Sequence, residues 1–255
     1  MMAPNGARHS KADHPALPMT DDEMVESARL GQAAGADGIH LHLRDSAGKH
    51  LIDADRYKAL LDRLASEVPG MYLQVTSEAA GLYSAQEQRD MMKALRPAHV
   101  SVALREMVCS PVDWADARDF YHWAADNGVE IQHILYSPDE VASFVDALNA
   151  DHIPGHHHLI QLVRGTYVDG AKGANDLVDY LVQLDRAEKH SFDWMLCAFG
   201  HGETASLAEA ARLGGKARAG FENSFWNADG RLAVDNAERI QEVDAALRGV
   251  GLLQP

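Results

Sequence analysis

The feature that most constrains this chain is a repeated alternation. Short apolar runs, bounded by Gly, Pro, Ser or charge, take turns with longer segments of helical periodicity. Eight runs read as strands: 1–5, 37–44, 71–77, 99–105, 130–137, 158–165, 193–200 and 216–223. The segments between them start with clear helix signals. Thr20 with Glu23 and Ser84 with Glu87 have the spacing of capping boxes. Ser137-Pro138 with Glu140 puts Pro at the first helical position, and Ser110-Pro111 with Asp113 resembles it. Tyr57, Leu60, Leu61, Leu64 and Val68 share one helical face, as do Ala237, Ile240, Val243 and Leu247. Gly70 and Gly128 stand where helices should stop.

Eight strand–helix units in 255 residues predict a single-domain (β/α)8 TIM barrel spanning residues 1–255. The rival is an open doubly wound sheet, but no GxGxxG follows the first strand. No apolar run nears the 18 or so residues of a membrane span. With 23 Lys and Arg against 38 Asp and Glu, the net charge is −15, which disfavours phosphate backbones and so a nucleic-acid partner. Cys109 and Cys197 are far apart and form no CxxC, which argues against a disulfide framework. The N-terminus has no apolar core of a secretory signal, so a cytoplasmic protein is expected.

Barrel chemistry sits at the C-terminal ends of strands. In the second predicted strand, alternation sends Ile39, Leu41 and Leu43 to one face and His40, His42 and Arg44 to the other. The apolar set suits the helix layer, which leaves the polar set facing the barrel interior. Two imidazoles two residues apart on a strand can share one metal, and neutral imidazole suits Zn²⁺. In the eighth predicted strand Arg218, Gly220 and Glu222 share a face. An inward Glu222 would complete a three-ligand site with open positions. Arg218 could then hold an anionic substrate group or pair with Glu222. The hydroxyls and backbone N–H groups around Ser77 could bind a carboxylate or an oxyanion, Ser101 falls on the inward face of the fourth predicted strand, and Glu130 and Gln132 share a face of the fifth. The tract Gly155-His156-His157-His158 precedes the sixth and reads as an exposed loop at the opposite end.

Several segments together resemble the β-keto acid cleavage enzyme family, typified by 3-keto-5-aminohexanoate cleavage enzyme. They are Ala3-Pro4-Asn5-Gly6-Ala7, His40-Leu41-His42-Leu43-Arg44-Asp45, Val75-Thr76-Ser77, and the run from Leu213-Gly214-Gly215 through Arg218 to Glu222-Asn223. The resemblance implies a zinc-dependent barrel that exchanges a β-keto acid with acetyl-CoA, giving an acyl-CoA and acetoacetate. It implies zinc ligation by His40, His42 and Glu222, substrate binding by Ser77, Ser101 and Arg218, and a catalytic role for Arg218 and for position 223. A homo-oligomer is expected.

The chain departs from the pattern at Asn223, where members commonly carry the Asp assigned to proton removal. Gln132 stands where a Glu is usual, and Arg8 where some members are acidic. Two other readings stay open. One is a metal-dependent barrel hydrolase, which would want histidines at the ends of the fifth and sixth strands and an aspartate on the eighth. The other is a catalytically lapsed barrel that binds a metal or metabolite.

Overall fold

The computed structural model describes residues 1–166 and 176–250. Helix α1 (Asp21–Ala33) leads into β1 (Gly38–Leu41), followed by an antiparallel pair, β2 (Leu43–Arg44) and β3 (His50–Leu51). Then α2 (Ala54–Glu67), β4 (Tyr72–Thr76), α3 (Ala85–Leu95), β5 (His99–Ala103), α4 (Leu104–Met107), α5 (Trp114–Asp126), β6 (Glu130–Leu135) and α6 (Pro138–Asn149) alternate along the chain. The order continues with β7 (His157–Arg164), α7 (Leu177–Leu184), β8 (Ser191–Ala198), α8 (Glu203–Arg212), β9 (Lys216–Ala217) and α9 (Asn236–Gly249).

Among the described residues, seven strands make one parallel sheet in the order β1-β4-β5-β6-β7-β8-β9. Every neighbour in the sheet follows the last in sequence, so each helical connection returns the chain one step further around. The first expected strand is reduced to backbone bridges. Met2 pairs parallel with Ile39 on one edge and with Ala219 beyond the other. Met2 N–H donates to Gly38 O and Met2 O accepts from His40 N–H, both at 2.8 Å. The pairing ends early because Pro4 has no N–H to give and the Asn5 side chain turns to Pro18 O and His42 O.

The helix starts form as the sequence predicts. Thr20 and Ser84 close reciprocal capping boxes with Glu23 and Glu87, and Ser137 accepts from Glu140 N–H. Tyr57, Leu60 and Leu64 bury the predicted face of α2. Ile39, Leu41, Val75, Val100, Val102, Leu135, Leu162 and Leu196 join the helix-layer core. Removing that much apolar surface from water is what holds helices to sheet, at roughly 25 cal/mol per Å². The other face has its own small apolar cluster, Ala103, Ile134, Val163 and Cys197, with Tyr136 and Phe199 packed on it. That cluster lies toward the C-terminal ends of β5 to β8, on the side where His40 also lies. No helix among the described residues is long and apolar enough to cross a membrane.

Candidate metal centre

His40 is on β1, and its Nε2 approaches His42 Nε2 to 3.1 Å. Glu222 Oε2 lies 3.5 Å from His42 Nε2 and 3.8 Å from His40 Nε2. All three side chains are buried. Four ligand atoms bound tetrahedrally at 2.0–2.1 Å would stand about 3.3 Å apart, so these separations suit a small divalent cation. Glu222 Oε2 makes no hydrogen bond among the described residues, whereas Oε1 accepts from Arg218 Nη2 at 3.0 Å. An orphaned buried carboxylate oxygen facing two imidazole nitrogens is a donor set lacking its acceptor. Burial alone would push the Glu222 carboxyl up, but the neighbouring Arg218 guanidinium opposes it, and the group is held well below the usual carboxylate range. Burial, with Arg218 nearby, drives His40 well below an ordinary imidazole, so it is neutral and its lone pair is available.

The expected strand geometry needs two corrections. The sheet ends at Leu41, and Arg44 belongs to the β2–β3 pair. Its guanidinium bonds to the carbonyls of Gly6, His9 and Gly48, so it ties down the N-terminal loop and does not line the site. The eighth expected strand forms a regular ladder at Lys216–Ala217 and adds one bridge from Ala219 to Met2. At Gly220 φ is +141°, and its carbonyl accepts from both Asn223 and Ser224 N–H, so a turn and not strand alternation delivers Glu222. A β-carbon at 220 would lie 2.4 Å from Ala3 O, so only glycine fits this close backbone approach.

Outside this triad, His40 Nδ1 donates to Gln74 Oε1 at 2.8 Å, and Gln74 Nε2 donates to Gln132 Oε1 at 3.1 Å. His42 Nδ1 is 3.8 Å from Glu78 Oε2. A cavity of about 40 Å³ opens beside the triad. One wall is polar: Thr76, Glu78, Ser101, Arg218 and the triad's His40 and Glu222. The other is Ala103, Ile134, Tyr136, Val163, Cys197 and Phe199. Burial raises the Glu78 carboxyl; the Glu222 charge adds to this and His42 opposes it. Burial pushes the Cys197 thiol up to about 11, so it is protonated at neutral pH.

The other expected site residues have distinct places. Ser101 Oγ is buried, has no hydrogen-bond partner among the described residues, and faces the cavity. Ser77 is buried behind it, its hydroxyl donating to Ser101 O at 3.1 Å. Both polar atoms of the Asn223 carboxamide are buried and unpartnered among the described residues. Arg218 both pairs with Glu222 and lines the cavity. Glu130 is exposed at the far end of β6, where its carboxylate accepts from Tyr72 O–H. Of the histidine tract, His156 and His157 are exposed as expected, but His158 is buried against His133, Phe144 and His190. His133 packs on Tyr121 and Phe144 in the helix layer, away from the triad. The apolar wall could not be read from sequence, because its residues come singly from four strands and the turns after them.

The whole chain, residues 1–253, matches the model of the family described as beta-keto acid cleavage enzyme. A 3-oxoadipate:acetyl-CoA acetyltransferase of Cupriavidus necator is 26% identical over 98% of this chain and 88% of that protein. A 3-keto-5-aminohexanoate cleavage enzyme of Acetoanaerobium sticklandii is 24% identical over 93% of this chain and 87% of that protein. In fold, the chain is similar to the solved apo structure of ObcA, with a TM-score of 0.68 and 17% identity; 93% of this chain is covered and 63% of ObcA, so the chain spans less than two thirds of that neighbour. The chain therefore belongs to the β-keto acid cleavage enzyme family, and it is an acyl-transferring enzyme that cleaves carbon–carbon bonds.

Proposed function

We propose that residues 1–255 form one closed (β/α)8 barrel whose His40, His42 and Glu222 hold Zn²⁺, and that the enzyme exchanges a β-keto acid with acetyl-CoA to give an acyl-CoA and acetoacetate. The bridges from Met2 to both sheet edges support closure. The observation that carries the functional reading is the convergence of two imidazole nitrogens and one orphaned carboxylate oxygen beside Arg218 and a half-apolar cavity. The acetyl-CoA co-substrate follows from the name of the Cupriavidus relative.

Zinc held there would polarise the β-keto carbonyl as a Lewis acid. The protein's own groups divide the remaining work. Arg218 and the free hydroxyl of Ser101 bind the substrate carboxylate, and Ser77 keeps Ser101 in place. The apolar wall takes the acyl chain. A carboxamide cannot accept a proton at neutral pH, so Asn223 serves as a hydrogen-bond donor and Glu78 takes the proton from C2. A buried carboxylate with a raised pKa is a stronger base than an exposed one. The C2 carbanion attacks the thioester carbonyl of acetyl-CoA, a C–C bond forms, and the C–S bond breaks. The released CoA thiolate attacks C3, the C2–C3 bond breaks, and acyl-CoA leaves. The acetoacetate carbanion recovers its proton from Glu78.

The test is to mix the purified enzyme with acetyl-CoA and a panel of β-keto acids and follow acyl-CoA and acetoacetate by mass spectrometry. Both should accumulate in equal amounts with at least one member of the panel, and His42→Ala should abolish both. Release of free acid without acyl-CoA would favour the hydrolase reading, and bound metal without turnover the lapsed-barrel reading.

A further inference from the structure

An imidazole that ligates a metal through Nε2 must carry its proton on Nδ1, and the partner of Nδ1 decides whether it does. For His40 that partner is neither of the usual ones, a carboxylate or a backbone carbonyl, but the side-chain amide of Gln74. An amide has two ends. Its oxygen holds His40 in the ligating tautomer. Its NH2 group, turned to the same place, would donate to Nδ1 and force the proton onto Nε2, the atom facing His42 and Glu222.

Gln74 is fully buried, so no water chooses its orientation. Among the described residues its Nε2 donates to Oε1 of Gln132 on β6, two strands away, at 3.1 Å. Gln132 also borders a cavity of about 750 Å³ at the other end of the strands, where water can satisfy the hydrogens of its own amide. We infer that Gln132 is a positioning residue for the metal centre: by accepting from Gln74 it turns the Gln74 oxygen toward His40 and so keeps Nε2 of His40 free to ligate. This rests on the metal reading of the site.

The relay makes a prediction that simple packing does not. A carboxylate has no wrong end, so Gln74→Glu removes the need for Gln132. Zn²⁺ affinity is measured on metal-free protein by competition with a chelating indicator, and the coordination is followed through the visible spectrum of the Co²⁺-loaded protein. Gln132→Leu should bind Zn²⁺ about 10–100-fold more weakly than wild type, the usual cost of losing an outer partner of a ligand. Gln132→Glu, which keeps the acceptor, should bind at least as tightly as wild type. Gln74→Glu placed in the Gln132→Leu background should restore the affinity and the Co²⁺ spectrum. If Gln132→Leu does not fold, Gln132→Met, closer in shape, carries the same expectations. Wild-type affinity in the Gln132 apolar variants, or a double variant as weak as the single one, overturns the relay alone. A wild-type chain that takes up no divalent metal overturns the metal reading and the relay with it.

Discussion

Glu222 lies directly against Gly6: a β-carbon at position 6 would sit 2.6 Å from Glu222 Cγ and 3.2 Å from its Cβ. The N-terminal loop thus forms the floor on which the Glu222 carboxylate rests. Gly6 also has φ of +59°, where a side chain is strained. Gly6→Ala should lower stability by about 1–3 kcal/mol and, because it displaces a ligand, should weaken Zn²⁺ binding by at least about tenfold. Thermal unfolding and metal titration of the same protein check this. Unchanged metal affinity would mean that Glu222 does not need its floor.

Glu78 can be separated from the His40, His42 and Glu222 triad, because it lines the cavity and lies 3.8 Å from His42 Nδ1. Glu78→Gln should retain Zn²⁺ and lose about 10²–10⁴-fold in kcat, the usual worth of a general base. Substrate binding should change little. A variant with near wild-type kcat would assign the proton to another group.

The carboxamide of Asn223, next in the chain to Glu222, has no hydrogen-bond partner among the described residues. Asn223→Asp introduces a group that can take a proton, at the position where the resemblance leads one to expect an Asp. Turnover on short β-keto acids should hold or rise. A drop of more than about tenfold with zinc retained would show that the amide hydrogen is needed as a donor.

Some of this was legible in the sequence and some was not. The histidines of His40-Leu41-His42 were, because a two-residue period is visible in any strand. Glu222 was legible through the motif but not through alternation, since the backbone pairs as far as Ala219 and then turns at Gly220. Arg44 misled for the same reason: β1 ends at Leu41, so the parity count no longer applied. Ser77 was placed at the right strand end, but its hydroxyl is already committed to Ser101. The Gln74–Gln132 pair left no trace, because two neutral amides 58 residues apart break no pattern. The first strand was expected to be longer than the bridges at Met2, and Pro4 explains the shortfall.

Glu106 gives the clearest pH dependence. Half-buried, it accepts from Ala79 N–H at 2.9 Å, yet burial raises its carboxyl from 4.5 to about 7. A raised carboxyl binds its proton more tightly in the folded state. Its contribution is therefore complete below pH 4.5, falls away as the pH rises to about 7, and is absent above that. Glu106→Gln keeps an acceptor without the charge. It should match wild type at pH 4 and melt about 2–4 °C higher at pH 8, the shift expected for roughly 1 kcal/mol in a chain of this size. Parallel melting curves at both pH values would contradict this.

The central claim is that the acetyl group of acetyl-CoA ends in acetoacetate while the acyl group of the keto acid ends on CoA. The direct measurement supplies acetyl-CoA labelled with ¹³C at both acetyl carbons, together with an unlabelled β-keto acid cleaved by the enzyme. Both labelled carbons should appear together at C3 and C4 of acetoacetate, and the new acyl-CoA should carry no label in its acyl group. Unlabelled acetoacetate, or a free acid in place of the acyl-CoA, would contradict it.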